Sequence, residues 1–333
     1  MENILYDKSS TIITDMENYS AIHGNWLFSY EIMNILKEKI NNKICDKDIS
    51  IVIAGSYGRF DACAESDLDF FILSNEANER KVENIREIIL EIADTMNISA
   101  PRHGGIFSKS ISISEMISQI GSASELPFSL SQRLLLLTEA KPIYNINLYN
   151  YILEKILNKY FEYIFVKPEK QFVVLLNDLI RYFRTICVSY QFDFENQPEK
   201  WTIRNIKLRH SRVILYGGLL FLILNSSKYK ENKIDYLREK ITLTPMEKLI
   251  HVYKDSNISH DDILTYYNIF LENFNKKEIR NALKVEYIDR YTNPYYKILK
   301  ENSDYLQRDL TDFIFKQKEL KNWDDRIFEY LMF

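Results

Sequence analysis

The feature that most constrains the fold is the segment 51–73, which reads IVIAGSYGRFDACAESDLDFFIL. It begins with the apolar run 51–53, typical of a buried strand, and continues into a small-residue turn from Gly55 to Arg59. A second short strand is then predicted to carry Asp67 and Asp69. Because residues i and i+2 of a strand point to the same face, both carboxylates project together. The residues predicted to enter the core instead are Leu68, Phe70 and Ile72.

Two convergent carboxylates beside a glycine turn suit a hard divalent cation and the phosphates that it carries. The chain has 8 glycines in 333 residues, and Gly55 and Gly58 both fall in this turn. Glycine used so sparingly indicates places where the backbone turns sharply or approaches a ligand closely. The alternative is an ordinary strand, turn and strand with surface acids, which requires the whole string to have arisen by chance.

The string GSYGR followed by SDLD resembles the signature of the DNA polymerase beta nucleotidyltransferase superfamily, in which a Gly-Ser turn precedes an Asp-x-Asp strand. Its spacing is most similar to two branches. One is the N-terminal domain of the uridylyltransferase that modifies the PII nitrogen-signalling protein, and the other is the kanamycin-type antibiotic nucleotidyltransferases. Three later segments are similar to a bacterial family of nucleotidyltransferases without a settled substrate, namely IGSASELPFSLSQRLLLLTEAKPIYN, LNDLIRYFRT and KWTIRNIKLRHSR.

The resemblance implies that Asp67 and Asp69 are catalytic and bind Mg²⁺ (or Mn²⁺), with an NTP as the substrate. The Gly55 and Ser56 amides and the Ser56 hydroxyl are expected to face the β- and γ-phosphates, and Arg59 to reach the same oxygens. The residues predicted to bind the nucleotide in this segment are Gly55, Ser56, Tyr57, Gly58, Arg59 and Ser66.

A third carboxylate is missing from the place where many members of this superfamily carry one. The predicted third strand, residues 106–113, contains no Asp or Glu. Glu115 is the nearest acid, but it falls at the start of the next predicted helix, where acids also occur because of the helix dipole. The uridylyltransferase-like branch resembles this chain in lacking an acid here. Activity is therefore not excluded, and the general base is unassigned.

Composition excludes several classes of function. A hydrophobic content of 46% and a formal net charge of -4 describe a globular protein without a global drive towards nucleic acid or anionic membrane. The three cysteines are far apart and lack a C-x-x-C pair, as in reduced cytosolic proteins. No secretory signal is recognised at the N-terminus, and the longest apolar run, 213–224, is too short to span a membrane. We therefore expect a cytoplasmic protein with a buried helix at 213–224.

The predicted fold is α+β, with a small mixed β-sheet domain packed with helices, followed by an all-helical domain. Apolar spacing predicts an amphipathic helix over residues 20–44 and another over 79–96. From about residue 129 onward the pattern is almost entirely helical. These signals place the nucleotidyltransferase domain at 1–125, including the N-terminal helix, and the helical domain at 126–333.

Two predicted helices in the second half carry many cations. Arg181 and Arg184 share a face beside Asp178, and residues 200–212 hold five basic residues and no acid. One interpretation is a solvated basic face, with the arginines paired to nearby acids. The other is that Arg181, Arg184 and Lys207 bind the triphosphate or an anionic acceptor, since Arg matches phosphate oxygens. The family resemblance favours the second interpretation.

The sequence thus predicts a Mg-dependent nucleotidyltransferase that moves an NMP to an acceptor with release of pyrophosphate. The acceptor stays open between a protein, an RNA and a small hydroxylated molecule, as do the choice of NTP and the oligomeric state. The alternative is a non-catalytic nucleotide-binding or partner-binding protein with the same fold. The missing third acid supports this alternative. Membership of a bacterial toxin-antitoxin pair is a further possibility.

Overall fold

The computed structural model describes residues 13, 15–74, 79–101, 106–108, 111–122, 124–162 and 173–332. This part of the chain combines a four-stranded mixed sheet with many helices, so the predicted α+β class is confirmed. Its residues form two compact units, one within 24–178 and 234–244 and the other within 12–23, 179–233 and 245–333. The domain boundary expected between residues 125 and 126 stays a prediction. The two compact units are divided at other positions, for example between residues 178 and 179.

The sheet belongs to the first unit and brings the two halves of segment 51–73 together. Its strands are β1 (Ile49–Ile53), β2 (Phe70–Ser74), β3 (Ile111–Ser112) and β4 (Lys141–Tyr144), in the order β3-β2-β1-β4. β1 pairs antiparallel with β2 and with β4, whereas β2 pairs parallel with β3. Ile53 lies opposite Phe70, so β1 ends where β2 begins. The residues that follow Ile53 and those that precede Phe70 therefore lie next to each other, at the same end of β1 and β2.

The α-helices of the described chain are, in order, α1 (Ser20–Lys43), α2 (Gly55–Arg59), α3 (Glu79–Thr95), α4 (Ile113–Ser118), α5 (Pro127–Thr138), α6 (Ile146–Phe161), α7 (Val173–Asn196), α8 (Trp201–Lys207), α9 (Val213–Asn225), α10 (Lys233–Lys240), α11 (Pro245–Asp255), α12 (Asp261–Phe274), α13 (Lys277–Ala282), α14 (Pro294–Glu319) and α15 (Arg326–Met332). The predicted helices at 20–44 and 79–96 are confirmed as α1 and α3, each to within one residue.

The fourth strand corrects the expectation that the chain is almost entirely helical after residue 129. β4 lies between α5 and α6 and pairs with β1 at an edge of the sheet, where Pro142 stands opposite Val52. Proline removes a backbone donor, which an edge strand tolerates on its outer side. The sequence did not reveal β4, because four residues are too few for a visible alternation.

The predicted third strand over 106–113 is wrong in its first half. Ile106–Ser108 forms a 3-10 helix, and of the described residues in this range Ile111 and Ser112 pair with β2. The Phe107 carbonyl accepts a hydrogen bond from Arg86 Nη1 at 2.9 Å, and the Phe107 ring packs on Phe71 with 4.8 Å between centroids. These side-chain contacts replace strand pairing at this position. His103 and the two glycines after it lie outside the described residues.

A buried ionic cluster centres on Arg133 of α5. The Arg133 side chain is fully buried, and its guanidinium lies 2.6 Å from Glu125 Oε1 and 2.8 Å from Asp178 Oδ2. Its Nε donates to the Tyr160 hydroxyl at 2.6 Å, and Tyr160 in turn donates to Asp178 at 2.8 Å. Asp178 was interpreted as a neighbour of Arg181, but the structure bonds it to Arg133, 45 positions earlier in the chain. Sequence reasoning missed Arg133, which directly precedes the four leucines of α5.

The second unit is helical and contains the apolar helix α9. Nearly all residues of α9 are buried, which confirms the prediction of a buried helix at 213–224. Gly218 lets this helix approach α11 closely, since a Cβ there would lie 2.5 Å from the Pro245 carbonyl oxygen. Within the described residues, no helix combines the length and the apolar character needed to cross a membrane.

His210 lies fully buried in a π-helical segment, Leu208–Arg212, between α8 and α9. Its Nδ1 is 2.9 Å from the Ile206 carbonyl oxygen, its Nε2 is 3.1 Å from Asn302 Nδ2, and its ring stacks on Phe270. Burial, helped by the positive charge of Arg209, lowers the pKa of His210 to about 4. Both ring nitrogens are therefore matched to a neutral imidazole, with Nδ1 as donor and Nε2 as acceptor.

We expect the stability of the protein to fall as the pH drops from 6.5 towards 4. In that window the unfolded histidine binds a proton that the folded one rejects, so the free energy of unfolding decreases with falling pH. A shift from 6.5 to about 4 corresponds to roughly 3 kcal/mol at most. Urea unfolding between pH 4 and 7 should show this part of the pH dependence removed in His210→Gln and retained in the control His23→Gln. Equal slopes in wild type and His210→Gln would contradict the assignment.

Candidate active site

Asp67 and Asp69 lie just before β2. Both side chains are partly exposed, whereas Leu68 between them and Phe70 after them are fully buried. The alternation predicted for a strand is therefore present, although β2 itself begins only at Phe70. Hydrogen bonds hold the extended backbone here: the Leu68 amide donates to the Ser99 carbonyl, and the Asp69 carbonyl accepts from the Ala54 amide, both at 2.8 Å.

The predicted turn at 55–59 is a short helix, α2, which corrects the expectation of a simple loop. Gly55 starts it with φ +62°, and Phe60 ends it in the left-handed region. Gly58 allows α2 to pack directly on its neighbours, because a Cβ there would lie 2.5 Å from the Glu139 carbonyl oxygen and 2.9 Å from that of Ile53. Gly55 is thus required because its φ is positive, and Gly58 because neighbouring backbone approaches it closely. The sparing use of glycine in the sequence indicated positions of this kind.

Gly55 also joins the two halves of the candidate site. A Cβ built on Gly55 would lie 2.3 Å from Asp69 Oδ2, so the Asp69 carboxylate packs directly over the Gly55 Cα atom. Only a residue without a side chain leaves room for this contact. The start of α2 and the Asp69 carboxylate therefore form one surface.

We expect Gly55→Ala to distort this surface and to lower the free energy of unfolding by at least about 1–2 kcal/mol, the cost of the left-handed backbone alone. The added methyl group would also displace Asp69, since it overlaps Oδ2. Gly24→Ala is the matched control, because a Cβ at Gly24 in α1 meets nothing within 4 Å. The control should keep or raise stability, as alanine is the better helix former. Urea unfolding of both variants checks this, and equal effects would contradict the packing argument.

Two of the predicted nucleotide contacts have structural roles in this arrangement. Tyr57 is fully buried and stacks on Phe28, and burial, with the charges of Cys63 and Asp67, raises the pKa of the Tyr57 hydroxyl to about 12. Contact between Tyr57 and a nucleotide stays a prediction. Ser66 Oγ accepts from the Cys63 amide at 3.0 Å and closes the turn that precedes Asp67. Contact between Ser66 and a nucleotide stays a prediction.

Arg59 is held by two carboxylates. Its Nε and Nη2 donate to Asp61 at 2.9 and 3.1 Å, and its Nη1 donates to Glu139 Oε2 at 2.6 Å. The other oxygen of Glu139 accepts from the Gly55 amide at 3.0 Å. The Gly55 N–H was expected to face a phosphate, but the structure directs it to Glu139. Phosphate binding by Arg59 stays a prediction.

Glu139 is the residue of this site that sequence reasoning missed. It follows the last turn of α5, and its side chain is fully buried. A signal was present, because Glu139 belongs to the segment LLLLTEAKPIYN, where an acid directly follows an apolar helix. Its partners are 80 or more positions away in the sequence, so the local pattern could not name them.

The cations predicted on the later helices belong to the second unit, whereas Asp67 and Asp69 belong to the first. Arg181 and Arg184 are exposed on α7, and Lys207 of α8 lies 5.4 Å from the centre of the Phe274 ring. This contact gives Lys207 a partner within its own unit. Binding of triphosphate or acceptor by these three residues stays a prediction.

Glu115, the acid nearest to the predicted third strand, lies at the start of α4. This residue is exposed in the first turn of α4, where its amide donates to the N-cap Ser112 and its carboxylate accepts from Gln119 at 3.4 Å. Among the described residues, no group of three or more His, Cys, Asp or Glu side chains could hold a metal ion. Metal binding by the Asp67 and Asp69 pair stays a prediction.

The segment that contains β1, α2, the two acids and β2 lies within a match to a known protein family. Residues 32–103 match the family model described as "Nucleotidyltransferase domain". The match agrees with the predicted resemblance to the DNA polymerase beta-like nucleotidyltransferases, while the two finer branches stay predictions. A search of curated proteins finds no match to the chain.

Proposed function

We propose that the protein is a Mg²⁺-dependent (or Mn²⁺-dependent) nucleotidyltransferase that moves an NMP from an NTP to an acceptor and releases pyrophosphate. The observation that carries this proposal is the contact between Asp69 and Gly55, which places a partly exposed carboxylate against the start of α2 inside a nucleotidyltransferase domain. Asp67 stands two positions earlier and is also partly exposed.

The residues present fit a magnesium ion. Mg²⁺ commonly uses one or two protein carboxylates and completes its shell with waters and substrate phosphates, so a third acid is not required. The partial exposure of Asp67 and Asp69 supports access for a hydrated ion. When bound, the ion would supply charge neutralisation on the triphosphate during transfer.

The other roles follow from the residues around the acids. Ser56 is partly exposed in the first turn of α2, where backbone N–H groups lack helical partners, so its hydroxyl and amide are suited to the β- and γ-phosphates. An oxygen of the acceptor forms a bond to the α-phosphorus, the bond to the bridging oxygen breaks, and pyrophosphate leaves with that electron pair. The acceptor proton passes to solvent or to a general base.

A label-transfer experiment tests the proposal. The full chain is incubated with each α-labelled NTP, Mg²⁺ and candidate acceptors from three classes: protein, RNA and small hydroxylated molecules such as aminoglycosides. We expect label on one class of acceptor, with pyrophosphate released in equal amount. Steep loss of transfer with rising salt would indicate an RNA acceptor. An anionic acceptor also agrees with the cations Arg181, Arg184 and Lys207.

The alternative is a non-catalytic nucleotide-binding or partner-binding protein, and one observation favours it: no third acid joins Asp67 and Asp69 among the described residues. Thermal stabilisation by NTP with Mg²⁺ but no product with any acceptor would support it. Growth arrest on expression that requires Asp67 and Asp69 would instead indicate the toxin of a toxin-antitoxin pair. For each of these candidate functions, we propose that the protein acts in the cytoplasm and not at a membrane.

A further inference from the structure

The contacts of Glu139 converge on α2 from the side of β4. Gly58 packs on the Glu139 carbonyl oxygen, so the backbone of residue 139 already lies against the helix. The Glu139 carboxylate then bonds to both ends of α2, through Oε1 to the Gly55 amide at 3.0 Å and through Oε2 to Arg59 Nη1 at 2.6 Å. One side chain thus fixes the first and the last residue of α2.

Arg59, Asp61 and Glu139 form a buried charge cluster, in which the two carboxylates hold the Arg59 guanidinium between them. Arg59 and Asp61 are nine-tenths or more buried and Glu139 is fully buried, so all three have lost most of their contact with water. Charge-assisted hydrogen bonds are stronger and more directional than neutral ones under such conditions. The Asp61 carbonyl also accepts from Asn25 Nδ2 of α1 at 3.1 Å. The cluster therefore anchors α2 to the end of α5 on one side and to α1 on the other.

The burial of Glu139 separates it from the reacting groups. Asp69 covers the Gly55 Cα atom and is partly exposed, whereas Glu139 takes the Gly55 N–H and is fully buried. A carboxylate in that position cannot bind a hydrated metal ion or a substrate phosphate without leaving its site. Its effect on the site must pass through Gly55 and Arg59.

We propose that Glu139 is a positioning residue, which holds α2 in the geometry that presents Ser56 to the phosphates. The effect of Glu139 on catalysis rests on the proposed function. Its effect on the position of α2 is a property of the nucleotide-free protein. Glu139→Gln should keep the shape of the side chain while removing the charge that binds Arg59. The local structure of residues 54–61 should therefore loosen before the fold as a whole does.

Hydrogen–deuterium exchange on the nucleotide-free full chain tests the positioning. In Glu139→Gln, amides of residues 54–61 should exchange at least about tenfold faster, as expected when a buried charge-assisted hydrogen bond is lost. Glu125→Gln is the matched control, because Glu125 is a fully buried acid that pairs with Arg133 at the same distance, 2.6 Å. Exchange at 54–61 should stay unchanged in this control. Unchanged exchange in Glu139→Gln, or an equal rise in both variants, would overturn the proposal.

The consequence for the site is tested by titration with NTP and Mg²⁺. Glu139→Gln and Arg59→Gln should each weaken binding, and the double variant should be no weaker than the weaker single one, because both remove the same contact. Additive losses would overturn the coupling through Arg59. Arg59→Gln also serves as the second exchange variant if Glu139→Gln does not fold, with faster exchange again expected at 54–61. Absence of NTP binding in the wild type would refute the proposed function and leave the exchange result to decide the positioning alone.

Discussion

Asp67→Asn and Asp69→Asn should each reduce nucleotidyl transfer by roughly three orders of magnitude or more. A metal ion contributes several kcal/mol to transition-state stabilisation, and each 1.36 kcal/mol is tenfold in rate. Asparagine keeps the shape of the side chain but loses the charge that attracts the cation. Because both carboxylates are partly exposed, their replacement should leave the free energy of unfolding within about 1 kcal/mol of wild type. The measurement is the rate of α-label transfer at saturating NTP and Mg²⁺.

Asp94→Asn is the control for this pair, since Asp94 is an exposed acid on α3 of the same unit. It should transfer label at the wild-type rate. Transfer that survives the double replacement of Asp67 and Asp69 would refute the metal assignment. Loss of transfer together with loss of the folded state would instead show that the pair is structural.

Arg133→Met should lower the free energy of unfolding by about 3–5 kcal/mol, the usual result of removing one partner from a buried ion pair. Methionine fills much of the space of the arginine side chain, so the loss reports the charge. Glu125 and Asp178 would then remain buried without the cation that now lies 2.6 and 2.8 Å from them. Urea unfolding followed by circular dichroism measures this loss.

Arg238→Met provides the comparison. Arg238 belongs to the same unit and also contacts two acids, Asp235 and Glu154, but its side chain is 38% exposed. Ion pairs of this kind contribute up to about 1 kcal/mol, because water screens the charges. A similar loss in both variants would show that burial is not the reason for the effect of Arg133.

Local patterns predicted the elements whose signal lies within a few residues. The apolar spacing of α1 and α3 gave their limits to within one residue, because one buried face repeats at the helical period. The alternation around Leu68 followed from the period of an extended chain. β4 and the 3-10 helix at Ile106–Ser108 escaped prediction, because each is too short to show a period and depends on contacts made elsewhere.

For the candidate site, the sequence determined which residues stand together at the edge of the sheet. Gly55, Gly58, Asp67 and Asp69 all occur within fifteen residues of one another, so chain connectivity alone brings them close. Tertiary structure alone decided the partners of the buried charges. Glu139 reaches Arg59 across 80 positions and Arg133 reaches Asp178 across 45. A buried charge is stable only when the tertiary structure brings an opposite charge next to it. The local sequence pattern does not show which residue supplies that opposite charge.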